Sequence, residues 1–212
     1  MKTNELIRAL AADGQAGPPS LGAASALGLA AGVAVAALIF FGAIGFRPDI
    51  SQALETVRFV FKFVVVLSLA VPAIVLSVGQ ARPGARLGPW VWSLAVAPAL
   101  LVLGVVAELL STPPMSWGER LVGTNMPFCL TFIPLLSIGP LVGLTLTQRY
   151  GAPARPRLAG SLAGLAAGGV AALFYASTCT DDSPLFVATW YTLAIGSVAI
   201  LGHLLAPKLL RW

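Results

Sequence analysis

The sequence predicts an all-α, polytopic membrane protein: a six-transmembrane-helix bundle with a short cytoplasmic N-terminal tail and both termini inside. Three observations carry this. Six charge-free apolar stretches run Gly14 to Phe46, Phe63 to Ala81, Leu87 to Ala107, Leu121 to Gln148, Leu158 to Thr180 and Ser183 to Pro207. Each exceeds the roughly 17 residues that a helix rising ~1.5 Å per residue needs to cross the hydrocarbon layer. Of the 212 residues, 58% are hydrophobic and only 10% charged, which leaves no stretch for a separate soluble domain. Finally, the charges segregate by loop. Lys2, Arg8, Arg82, Arg86, Arg149, Arg155, Arg157, Lys208 and Arg211 fall on one side, against Arg47, Arg58 and Arg120 on the other. Basic residues mark the cytoplasmic side, so the N-terminus is expected inside, and an even number of spans returns the C-terminus there. In a soluble chain a net charge of +5 would suggest nucleic acid. Here the cations sit in short loops and orient spans, and no direct nucleic-acid contact is expected.

The organisation divides into a cytoplasmic tail over 1–20 and a six-helix domain over 21–212, with helices at about 21–45, 58–79, 89–110, 126–147, 158–178 and 184–206. The tail opens as a short amphipathic helix: Thr3 can cap, Glu5 suits the N-terminal dipole, and Leu6, Ile7 and Leu10 share an apolar face. Ten or so residues are too few for a stable helix alone, so this one must dock on the membrane surface, the bundle or a cytoplasmic protein groove. Gly14, Gly17, Pro18 and Pro19 tether it to the first span. Glu5 and Asp13 precede an apolar stretch longer than a signal-peptide core, so the first span is expected to be retained.

In spans two to four, Pro72, Pro98, Pro134 and Pro140 each remove a backbone donor and are expected to kink their helices. Lys62 lies twenty residues before Arg82, and Glu108 twenty after Gly88. At equal height on one hairpin they are candidates for an intramembrane ion pair; snorkelling of Lys62 alone is the alternative. Trp90, Trp92, Tyr150 and Trp212 suit the inner interface, Trp117 and Tyr175 the outer one. In the fifth span Gly160, Gly164 and Gly168, followed by Ala172 and Ala176, recur at spacing four and leave one face bare for a close helix neighbour.

The only two cysteines fall at matching heights. Cys129 is twenty residues back from Arg149 and Cys179 twenty-one beyond Leu158, both about 30 Å from the loop those helices share. Three readings stay open: unrelated buried cysteines, a structural disulfide, or a reactive pair that oxidises or captures a soft metal ion, with Asp181 and Asp182 as auxiliary ligands. The two aspartates also precede Ser183 and Pro184, an N-cap followed by a first helical position, where acidic residues favour the helix dipole. His203 lacks the partners of a haem or metal site and reads as an interfacial or packing residue. No nucleotide-binding glycine loop, nucleophile elbow or paired-histidine motif is present, so nothing points to an enzyme or to a resident cofactor.

Segments along the whole chain resemble the NrsF family of membrane anti-sigma factors: ELIRALAAD, FRPDISQALETVRFVFK, CLTFIPLLSIGPL, GAPARPRLAGSLAGLAAG, CTDDSPLFVATWY and the terminal LLRW, in that order. The resemblance implies a negative regulator that holds an extracytoplasmic-function sigma factor at the bacterial inner membrane. It also implies that Cys129 and Cys179, on the periplasmic side, sense heavy-metal or oxidative stress. Leu6, Ile7, Leu10 and Asp13 then become the expected sigma-factor-binding residues. Two other classes compete. A small transporter would explain six spans and an intramembrane charge pair, but it calls for repeated halves with broken helices. A membrane thiol oxidoreductase would explain the cysteines, but it calls for a Cys-x-x-Cys relay.

Overall fold

The computed structural model describes residues 3–5 and 20–210. Leu6, Ile7, Leu10 and Asp13 lie outside these described residues. Six helices are long and apolar enough to cross a membrane: α1 (Leu21–Ile44), α2 (Val57–Gln80), α3 (Pro89–Ser111), α4 (Met126–Gly151), α5 (Pro156–Ala176) and α6 (Pro184–Leu209). Their bounds fall within a few residues of those expected, because hydropathy and the loop prolines and glycines mark the same positions. Ser20 caps α1, its hydroxyl accepting the Ala23 N–H at 3.3 Å. Pro89, Pro156 and Pro184 open α3, α5 and α6, where a missing N–H costs nothing. Pro72, Pro134 and Pro140 lie inside continuous helices. Other turns depart from the α-helix: α1 ends in a π-helical turn at Phe40–Ile44, α6 carries another at Val187–Tyr191, and α3 begins as a 3₁₀ helix over Pro89–Ala95, with Pro98 just inside the α-helical part that follows.

Helix α5 is the hub of the bundle, packed against α6, α2 and α4, while α1 lies along α4 and α3 leans on α2 at the periphery. Small residues bring this about. A Cβ on Gly164 would sit 2.5 Å from the Val198 carbonyl oxygen of α6, and one on Gly160 would strike the Gly202 carbonyl. The bare face expected on α5 is therefore a helix-to-helix seam. A second seam of the same kind joins α1 to α4, where Gly28 faces Gly143 and Gly32 faces Gly139.

Side chains pointing away from the bundle are apolar: Leu38, Leu103, Ile200 and Leu204 are each more than 60% exposed. Such a belt has no place in water, and it fits hydrocarbon. Trp90, Trp92 and Tyr150 are exposed at the end where the 81–88 and 151–155 loops meet, in keeping with interfacial anchoring. Tyr175 corrects that scheme. It is buried at 1% exposure, and its hydroxyl donates to the Asn125 carbonyl at 3.1 Å.

Candidate sensor site at the thiol end

The two ends of the bundle differ in chemistry, and the end holding both cysteines is the elaborate one. Cys129 lies in the first turn of α4, and Cys179 in the loop that follows α5. Both are free and buried, at 0% and 1% exposure, and both belong to one apolar cluster with Tyr175, Tyr191, Phe186 and Ile133. The equal heights expected from the sequence thus correspond to one shared cluster. Cys179 is past the last helical residue of α5, Ala176, so its direction is set by the loop. Its N–H still reaches the Tyr175 carbonyl at 3.0 Å, which tucks the thiol inward. Burial pushes the Cys179 thiol above its ordinary range, with Lys62 working against that rise. The Tyr191 hydroxyl is buried beside this group with no hydrogen-bond partner among the described residues.

Two cations, Lys62 and Arg47, clamp the thiol-bearing loop. The Cys179 carbonyl accepts from Lys62 Nζ at 3.0 Å and from Arg47 Nη1 at 3.4 Å. Asp182 accepts from the same two cations, at 2.5 Å from Lys62 and 2.8 Å from Arg47. Arg47 also pairs with Asp49 at 2.7 Å, and its backbone N–H donates to the Ser177 carbonyl at 3.3 Å. Hydrogen bonding to Asp49, reinforced by Asp182, holds the Arg47 guanidinium above its ordinary range, and Arg47 in turn holds the Asp49 carboxyl below its own. Phe59 lies under both cations, its ring centre 5.1 Å from Lys62 Nζ and 5.7 Å from the Arg47 guanidinium carbon.

The expected Lys62–Glu108 pair is therefore not formed. Glu108, 3% exposed, instead takes Arg120 at 3.1 Å and Arg58 at 3.7 Å, and accepts from the Ser183 hydroxyl at 2.6 Å and the Leu185 N–H at 3.1 Å. Equal height on a hairpin says nothing of direction around each helix, and α2 turns Lys62 toward the 177–183 loop. Glu108 is also a cap supplied from another helix. The Ser183 hydroxyl makes no capping bond to its own helix, and the Glu108 carboxylate takes that role at the start of α6.

Asp182 is engaged through both carboxylate oxygens and Asp181 through one. Asp181 Oδ2 accepts the N–H groups of Thr124 and Asn125 at 2.9 and 2.8 Å and the Asn125 side-chain amide at 2.9 Å, capping the start of α4 instead of its own helix. Among the described residues no cluster of three or more His, Cys, Asp or Glu side chains is placed to hold a metal ion. A soft ion reaching this end would have the two sulfurs as its donors. An open cavity of about 480 Å³ adjoins the loop, lined by Arg58, Arg120, Thr180, Asp181, Asp182 and Ser183. His203, at the far end of α6, packs with its Nδ1 3.0 Å from the Ser161 hydroxyl oxygen.

Sequence reasoning missed Arg47, Tyr175, Tyr191, Asn125 and Arg120 as parts of this site. Only Arg47 gave a signal, as a cation immediately outside an apolar span with an acid two residues on. The rest depend on how the helices rotate against one another.

Comparison with known proteins agrees along the whole chain. A probable anti-sigma-F factor NrsF from Azospira oryzae is 34% identical over 214 residues, with all of both chains covered. The anti-sigma-F factor NrsF of Caulobacter vibrioides is 32% identical over 216 residues, again with both chains covered in full. No solved structure gives a significant match. The family described as NrsF, negative regulator of sigma F, matches residues 10–212, and this chain belongs to it.

Proposed function

We propose that this protein is a membrane-bound anti-sigma factor of the bacterial inner membrane. It sequesters an extracytoplasmic-function sigma factor at the cytoplasmic face and releases it when Cys129 and Cys179 are modified by a soft metal ion or an oxidant. The family and the names of its relatives support the anti-sigma role. The observation that carries the sensing role is the double grip of Lys62 and Arg47 on the carbonyl of Cys179 itself.

Arg47 stands just beyond the outer end of α1, and the inner end of α1 leads back to the tail that holds Leu6, Ile7, Leu10 and Asp13. Bringing two buried sulfurs onto one ion, or into a disulfide, moves the 179 backbone and disturbs both cation contacts. Strain then reaches α1 through Arg47, and the tail loses its bound geometry. The signal acts only as far as it favours the released state, and moving a complex from ~99% bound to ~99% free requires about 5.5 kcal/mol of differential binding. The cavity beside the loop gives the ion or oxidant an approach from the outer face.

The test is capture of the tagged protein from its native host, in mild detergent, with and without a cadmium or oxidant challenge. A sigma factor is expected to co-purify at rest and to be lost on challenge. The Cys129→Ser, Cys179→Ser double variant is expected to retain it in both conditions, and Leu6→Asp or Leu10→Asp to lose it in both. Normal release from the double-serine variant would sink the sensor assignment. Unchanged capture by both tail variants would move the binding surface elsewhere.

A further inference from the structure

The end of the bundle opposite the thiols carries a second site that the anti-sigma reading does not use. A cleft of about 620 Å³ opens between the start of α5 and the end of α6, lined by Arg155, Arg157, Leu158, Ser161, His203 and Pro207. Its rim is cationic and its wall apolar. Neither Arg155 nor Arg157 forms an ion pair among the described residues, whereas Arg47, Arg58, Lys62 and Arg120 at the thiol end are all paired.

The polar groups of the cleft are ordered, not loose. The Ser161 hydroxyl donates to the Arg157 carbonyl at 3.0 Å, so at the 3.0 Å contact with His203 its oxygen receives the Nδ1 proton. That fixes the imidazole and leaves Nε2 as its remaining polar atom. Helix α5 also begins here, at Pro156, with no capping bond from the Arg155 side chain, so among the described residues no side-chain cap meets its positive dipole end.

We propose that this cleft binds the phosphate headgroup of an anionic phospholipid, with Arg155 and Arg157 around the phosphate and Leu158 and Pro207 against the first methylenes. The inference rests on the bilayer placement given above. A lipid is favoured over free phosphate because the apolar wall continues into the exposed belt of α6, where Leu204 is 62% exposed, so an acyl chain can follow the headgroup. Basic pockets between helices at the cytoplasmic boundary are suited to such headgroups, each nearby cation contributing about 1 kcal/mol of attraction.

The experiment uses the full-length protein, delipidated and then reconstituted in nanodiscs of phosphatidylcholine with or without about 20% phosphatidylglycerol. Native mass spectrometry reads the lipid retained. Phosphatidylglycerol is expected to be retained at least about tenfold over phosphatidylcholine. Arg155→Gln/Arg157→Gln is expected to abolish that preference. Arg82→Gln/Arg86→Gln, which removes two cations of the same end outside the cleft, is expected to keep it, with thermal melting showing that each variant folds. Equal retention of the two lipids, an equal loss in the Arg82/Arg86 control, or displacement of the lipid by millimolar inorganic phosphate would each overturn the proposal. So would an Arg155/Arg157 variant that keeps its lipid preference but loses a sigma factor, which would make the cleft a protein contact. Failure to enter nanodiscs would overturn the bilayer placement itself.

Discussion

The two ends of this bundle handle positive charge in opposite ways. At the thiol end Arg47, Arg58, Lys62 and Arg120 are each held by a carboxylate, and Lys62 is 0% exposed. At the other end Arg82, Arg86, Arg149, Arg155, Arg157 and Lys208 are exposed and form no ion pair among the described residues. The same residue types therefore do different work. Paired, with Lys62 and Arg47 buried, they fix the geometry of one loop; unpaired and exposed, they leave a field that the described residues do not neutralise. A buried pair is weak evidence for stability, yet breaking one leaves a stranded charge.

The largest expected effect breaks the comparison at its strong end. Asp182→Asn removes the carboxylate of Lys62 and one of the two on Arg47, leaving a lysine buried without a counter-charge. The expected loss of stability is about 3–5 kcal/mol, against less than about 0.5 kcal/mol for Arg86→Gln at the other end. Equilibrium unfolding in detergent measures both, and equal losses would erase the contrast.

A middle-sized effect asks whether the seams, rather than the ion pairs, hold the ends in place. Gly164→Val sets a side chain against the Val198 backbone, which cannot yield, at an expected cost of about 1–3 kcal/mol. Gly22→Ala meets open space and is expected to be neutral or to stabilise by up to about 1 kcal/mol. A Gly164→Val protein as stable as the parent would mean that α5 and α6 are free to part.

The smallest effect sharpens the picture through pH. Arg47 holds the Asp49 carboxyl below its usual value of 3.8, so it titrates lower folded than unfolded. Its contribution is complete above the unfolded value and is lost as pH falls through the folded one. Asp49→Asn is expected to remove that small contribution at neutral pH, where it is complete, and so to flatten the acid side of the stability profile below pH 3.8, where variant and parent converge. An unaltered acid limb would overturn the role given to Asp49.

The spans were legible because hydropathy over twenty residues is a one-dimensional signal, and so was the seam of Gly160, Gly164 and Gly168. The matching seam of Gly28 and Gly32 on Gly139 and Gly143 was written in the same spacing and went unread. Heights along helices were legible as well, which is why Cys129 and Cys179 come out in one cluster. Rotation about each helix was not. Lys62 and Glu108 share a height and face different partners, and Tyr175 points into the protein where an interfacial ring was expected. The caps failed for the same reason, since Asp181 and Glu108 cap helices to which they do not belong.

The Lys62–Asp182 contact joins residues 120 positions apart, and this has a consequence for biogenesis. Helix α2 must enter the membrane before its counter-charge has been synthesised. At about 5–20 residues per second the wait is on the order of ten seconds. Through that interval Lys62 can stay near the headgroups by snorkelling, at a cost of up to about 2.5–3.5 kcal/mol if it is drawn to the centre. In the proposed topology, only the export of the α5–α6 hairpin brings Asp182 across to draw the lysine in. The thiol-bearing loop would then be the last part of its end of the bundle to arrive, and a ribosome that stops before it leaves behind helices with no latch.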